Sequence, residues 1–82
     1  MSYEKVEQAK KTIIGTKQAV KAIRAGIVIE IIIAQDAEER IIAPVMEEAA
    51  LHGVQVTHVD SKERLGNACG IQVSAAVVAI TE

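Results

Sequence analysis

Apolar positions along this chain change period from segment to segment. Val6, Ala9 and Ile13 stand at helical spacing, with Ser2 as a helix cap and Glu4 in the first turn, where a carboxylate suits the helix dipole. A short apolar step, Ile13-Ile14, is read as a short strand and then meets Gly15. Ala19, Val20 and Ile23 form one stripe, which predicts a helix from about Thr16 to Ala25 with Gly26 as its stop. Lys17, Lys21 and Arg24 form the opposite stripe, spaced i, i+4, i+7, so the three cations share one helix face.

The run from Ile27 to Ala34 is β-branched and lacks clean alternation, as expected of a central strand covered on both faces. Helices on two sides are then required. Asp36, with Glu39 three positions on, predicts a capping box for a third helix reaching about His52, where Gly53 ends it. Pro44 inside that helix implies a break after Ala43 or a kink, because proline removes a backbone donor and crowds the preceding turn. Val54 to Val59 alternates as a strand. Asp60 or Ser61 caps a short fourth helix over Lys62 to Ala68, closed by Gly70, and Val73 to Thr81 is the final strand. This alternation predicts an α/β fold, a three-layer α/β/α sandwich with a four-stranded mixed sheet between helices.

Eighty-two residues without internal repeat, linker or low-complexity segment are read as one domain, 1–82. Half of them are hydrophobic, mostly Ala, Val, Ile and Leu, and Tyr3 is the only aromatic. Such a core suits helices on β-branched strands. The run from Ile27 to Ala34 is too short to cross a membrane and is interrupted by Glu30. The first five residues lack the organisation of a signal peptide, and the single cysteine, Cys69, permits no internal disulfide. A reducing cytoplasm is the expected setting.

A formal charge of −2 would by itself argue against a nucleic-acid partner. The distribution changes that picture. Residues 1–28 carry six basic and two acidic side chains, a net +4, whereas residues 29–82 carry Arg40, Lys62 and Arg64 against nine carboxylates, a net −6. A basic N-terminal third is thus available to a phosphate backbone while the acidic remainder keeps the chain soluble.

Two segments carry candidate chemistry. Ile14-Gly15-Thr16-Lys17-Gln18-Ala19-Val20-Lys21 joins a strand end to a helix start, where glycine permits close approach and the free first-turn N–H groups favour an anion. From chemistry alone its charge stripe is more often a solvated helix face than a phosphate or RNA site. It is not a Walker motif, for it lacks the Gly-Lys-Ser/Thr ending. Leu65-Gly66-Asn67-Ala68-Cys69-Gly70-Ile71-Gln72-Val73-Ser74 ends in a loop whose Ile71 and Val73 suit an unstacked base. The commoner alternative is a helix cap followed by core strand residues. Cys69 suits a buried small hydrophobe, His52 a partner of the helix dipole, and His58 has no ligand spacing to another His or Cys. Glu38-Glu39 and Glu47-Glu48 suit capping and solvated-face roles. No catalytic set, metal site, cofactor or small-molecule substrate follows from these residues.

Taken together the two segments resemble the kink-turn-binding ribosomal protein family, called L-seven-Ae in archaea, and especially its short bacterial, ribosome-associated members. The resemblance runs from about Val6 to Ile80. It rests on Gly15-Thr16-Lys17-Gln18-Ala19-Val20-Lys21 in place of the family's Gly-x-Asn-Glu-x-x-Lys, on Asp36-Ala37-Glu38 before an apolar helix with Pro44, and on Ser61-Lys62, Leu65-Gly66 and Ala68-Cys69-Gly70-Ile71. It implies a helix N-terminus set into the widened major groove of a kink-turn, against tandem sheared G-A pairs. By position, Gly15 and Thr16 approach the backbone, Lys17 and Gln18 reach guanine edges, and Lys21 pairs with phosphate. Glu38, Ile42, Lys62 and Ile71 surround the extruded base, with Val73 beside them. Arg24 is added from the charge stripe alone. Lys17 and Gln18 replace the commoner Asn and Glu, which strengthens phosphate attraction and redirects base readout. Val73 stands where some relatives carry a basic residue.

The resulting expectation is a non-enzymatic, monomeric RNA-binding protein that stabilises kink-turn RNA, in rRNA or a riboswitch, with the ribosome as a candidate partner and no membrane. Two alternatives accompany it: a structural protein of the large ribosomal subunit, and a protein-interaction module using the acidic helix around Glu38 to Glu48.

Overall fold

The computed structural model describes residues 3–81. The elements are α1 (Tyr3–Gln8), β1 (Lys11–Ile14), α2 (Thr16–Arg24), β2 (Val28–Ala34), α3 (Glu39–Leu51), β3 (Gln55–Val59), α4 (Lys62–Ala68) and β4 (Val77–Thr81). Ser2, expected to cap α1, lies outside the described residues. The sheet order is β1-β4-β2-β3, with β1/β4 and β4/β2 antiparallel and β2/β3 parallel. The fold is therefore α/β with a four-stranded mixed sheet.

From Ile31 to Ala34 β2 is buried on both faces, whereas Ile29 nearer its start is exposed, and the alternation of the buried part builds two cores. Ile31 and Ile33 point to one side, where they meet Ala19 and Ile23 of α2, Val45 and Ala49 of α3, and Val77 and Ala79 of β4. Ile32 and Ala34 point to the other, against Val6 of α1, Leu65 of α4, and Val78 and Ile80 of β4. The continuous apolar run in β2 is explained by this double coverage. Each isoleucine in it that is withdrawn fully from water stabilises the fold by about 1.5–3 kcal/mol, and Ile31, Ile32 and Ile33 are all completely buried. Glu30, which interrupts the run, is held by Lys5 Nζ at 3.1 Å and accepts a hydrogen bond from Thr57 Oγ1.

Five local expectations change. The helical spacing that reached Ile13 yields to the short strand expected at Ile13-Ile14, where β4 pairs Ile13 with Ala79 and Ile14 with Val78. Ile27 stays outside β2 and is exposed, and a register shift between Val28 and Glu30 follows it. Pro44 neither breaks α3 nor ends it, and the helix is continuous from Glu39 to Leu51. The capping box is not formed: Glu38 precedes α3 without a side-chain cap, and Asp36 turns to a different partner. The last strand begins at Val77 and not at Val73, because the intervening segment is tied to α4.

Candidate functional site

Strand directions bring the candidate segments to one end of the sheet. β1, β2 and β3 all run toward it and β4 starts from it, so the turn at Gly15, the loop at Asp36, the turn at Ser61 and the loop before Val77 share one rim. Main-chain hydrogen bonds join them across the strands. Gly15 N–H donates to Val77 O at 3.1 Å, Ala34 N–H to Ala76 O at 3.0 Å and Gln35 N–H to Val59 O at 2.7 Å.

Gly15 enters α2 with φ 112° and ψ 151°, a region essentially closed to residues with a side chain. No side chain caps the helix, so the N–H groups of its first turn remain directed outward. Thr16 is half-buried at this start, while Lys17, Gln18 and Lys21 are exposed along the outer face. Among the described residues neither Lys17 nor Lys21 forms an ion pair. The first turn thus combines open donors with uncommitted positive charge, an arrangement suited to an anion.

Arg24 differs from the two lysines. Its Nε lies 3.1 Å from Glu48 Oε1 on α3, and this hydrogen bond both raises the arginine pKa and holds the Glu48 carboxyl below its usual range. It also stands eight residues beyond Thr16, roughly 12 Å along a helix rising 1.5 Å per residue. Although it shares a helix face with Lys17 and Lys21, the Arg24 charge is already paired with a carboxylate.

Glu38 sits just before α3, exposed, with its Oε2 2.7 Å from Arg40 Nε. Ile42 is half-buried against the α2–α3 core and Ile71 half-buried against the opposite one. Lys62 opens α4 with an exposed side chain, and Val73 stands out from the loop at 68% exposure. Glu38, Lys62, Ile71 and Val73 all belong to the rim segments, and Ile42 lies one turn into α3.

Three other residues were not singled out as site residues by their spacing. Arg40, Ile41 and Pro44 of α3 line a groove of about 530 Å³ together with Thr16, Lys17, Val20, Lys21 and Arg24 of α2. Their proximity arises from packing of two helices separated by β2, which no local pattern encodes. Cys69 is partly buried, and desolvation raises its thiol pKa, as suits a packing residue more than a nucleophile. Among the described residues no group of three His, Cys, Asp or Glu side chains is arranged to hold a metal ion.

Known proteins resemble this chain over nearly its whole length. The profile of the ribosomal protein L7Ae/L30e/S12e/Gadd45 family matches residues 2–82. An RNA-binding protein of Geobacillus sp. (strain WCH70) is 58% identical over 80 residues, covering 98% of each chain. An RNA-binding protein of Staphylococcus aureus (strain JH9) is 34% identical over 82 residues, again covering 98% of each. Among solved structures, the Giardia lamblia 15.5kD RNA binding protein superposes with a TM-score of 0.85 at 28% identity, over 98% of this chain and 68% of that one.

Proposed function

We propose that this chain, which belongs to the ribosomal protein L7Ae/L30e/S12e/Gadd45 family, is a non-enzymatic RNA-binding protein that recognises and stabilises kink-turn RNA. The observation that carries the reading is the convergence of the open, cationic N-terminus of α2 and the loop holding Ile71 and Val73 on one rim of the sheet. RNA-binding relatives that match nearly the whole chain support the partner class.

The division of labour follows from the chemistry of each side chain. Gly15 and Thr16 admit the RNA backbone closely, since glycine brings no side chain to the entry of α2 and takes up its positive φ without strain. Lys17 and Gln18 face the sheared G-A pairs, and Lys21 meets phosphate one helical turn behind. Glu38, Ile42, Lys62 and Ile71 enclose the extruded base, with Val73 at the margin. Arg24, already paired with Glu48, contributes less than the lysines. Binding favours the bent RNA over the extended form, so the protein acts by shifting a population that the RNA already samples.

Residues 1–82 act as one domain and as a monomer in the cytoplasm, associated with the ribosome or another kink-turn-bearing transcript. Cross-linking in cells followed by sequencing of the bound RNA tests the assignment. Enrichment of kink-turn elements supports it, and their absence from the recovered RNA would favour an interaction module built on the acidic helix.

A further inference from the structure

We propose that Asp36 is a positioning residue of the RNA site, clasping the two walls that enclose the extruded base; the inference rests on the RNA-binding reading above. Asp36 Oδ1 accepts a hydrogen bond from the Lys62 N–H at 2.8 Å, across 26 positions of sequence. The carboxylate therefore joins the loop leading to Glu38 and Ile42 with the first residue of α4.

Lys62 is held on its other side as well. Its carbonyl accepts from Ala75 N–H at 2.9 Å, which ties the end of the Ile71–Val73 loop to the same residue. Gly66, one turn farther along α4, leaves that loop no slack: a β-carbon there would stand 2.0 Å from Val73 O. The preceding turn is fixed independently, since Ser61 Oγ caps Arg64 N–H at 3.2 Å and Ser61 N–H donates to Tyr3 Oη at 3.1 Å. Among the described residues Asp36 takes part in no ion pair and does not cap α3. Among the described residues its side chain makes one hydrogen bond, the clasp.

Charge and clasp have opposite consequences. An exposed carboxylate beside RNA repels phosphate, so if charge were its whole effect, removing it by either Asn or Ala would tighten binding. A clasp depends on the acceptor oxygen, which Asn retains and Ala lacks. Affinity and dissociation rate for a synthetic kink-turn RNA should be measured with the full chain and with Asp36→Ala and Asp36→Asn, beside thermal melts of each.

The expected result is binding about tenfold weaker for Asp36→Ala, mainly through faster dissociation, with Asp36→Asn restoring affinity to within about twofold. Equal tightening by both variants, equal weakening by both, or no change in Asp36→Ala would overturn the clasp. Should Asp36→Ala not fold, hydrogen exchange of the Lys62 amide in the unsubstituted chain decides. Slow exchange supports the clasp and exchange at the unstructured rate refutes it. Failure of the unsubstituted chain to bind this RNA removes the kink-turn reading and the inference with it, an outcome distinct from a binding chain indifferent to Asp36→Ala.

Discussion

The side-chain oxygen of Gln18 folds back over Gly15, 2.7 Å from the point where a β-carbon would stand. Backbone conformation and side-chain position thus agree on glycine at the entry to α2. Replacing it adds an atom in a backbone region closed to side chains and pushes the Gln18 amide away from the helix start. Gly15→Ala is expected to lower unfolding free energy by about 1–3 kcal/mol, read by urea denaturation. It should also weaken kink-turn binding beyond what any loss of folded population explains.

Lys21 and Arg24 lie on one helix face but differ in what they already hold. Lys21→Ala is expected to weaken RNA binding and flatten the dependence of log affinity on log salt by about one counterion or less. Arg24→Gln combined with Glu48→Gln removes a neutral pair, so the slope should change by less than in Lys21→Ala. Titrations at several salt concentrations check both. An equal change in slope for the double variant would mean that Arg24 leaves Glu48 to meet phosphate.

This contrast marks where sequence reading stopped. The stripe Lys17, Lys21 and Arg24 is encoded locally by helical spacing, and the double coverage of β2 by its apolar run, so both are visible in the residues. The Arg24 partner is 24 positions away on another helix. Asp36 looked like a helix cap because the capping pattern is local, whereas the donor that won it, the Lys62 amide, is distant. Val73 looked like the start of a strand because it is β-branched. Contact with Gly66 and the Ala75 bond to Lys62 keep that segment in the loop, and both are tertiary.

Acid should loosen the fold through carboxylates that are paired only in the folded state. The Arg24 hydrogen bond lowers the Glu48 pKa, and the Tyr3 hydroxyl lowers that of Asp60. Both groups bind protons less readily folded than unfolded. Their contribution is therefore present above the ordinary carboxylate pKa of about 4 and is lost as pH falls through the lowered folded values. Melting temperatures between neutral pH and about pH 3 should fall, and less steeply in Glu48→Gln, which has one fewer linked carboxyl.

Kink-turn recognition is tested most directly by titrating two labelled RNAs of equal length and charge, one with tandem sheared G-A pairs and a bulge, the other with those pairs replaced by Watson-Crick pairs. Phosphate attraction is common to both, so any difference reports the bent shape and the base edges. The expected result is affinity for the kink-turn at least about tenfold higher, a difference of about 1.4 kcal/mol. Equal affinity for the two would contradict the account.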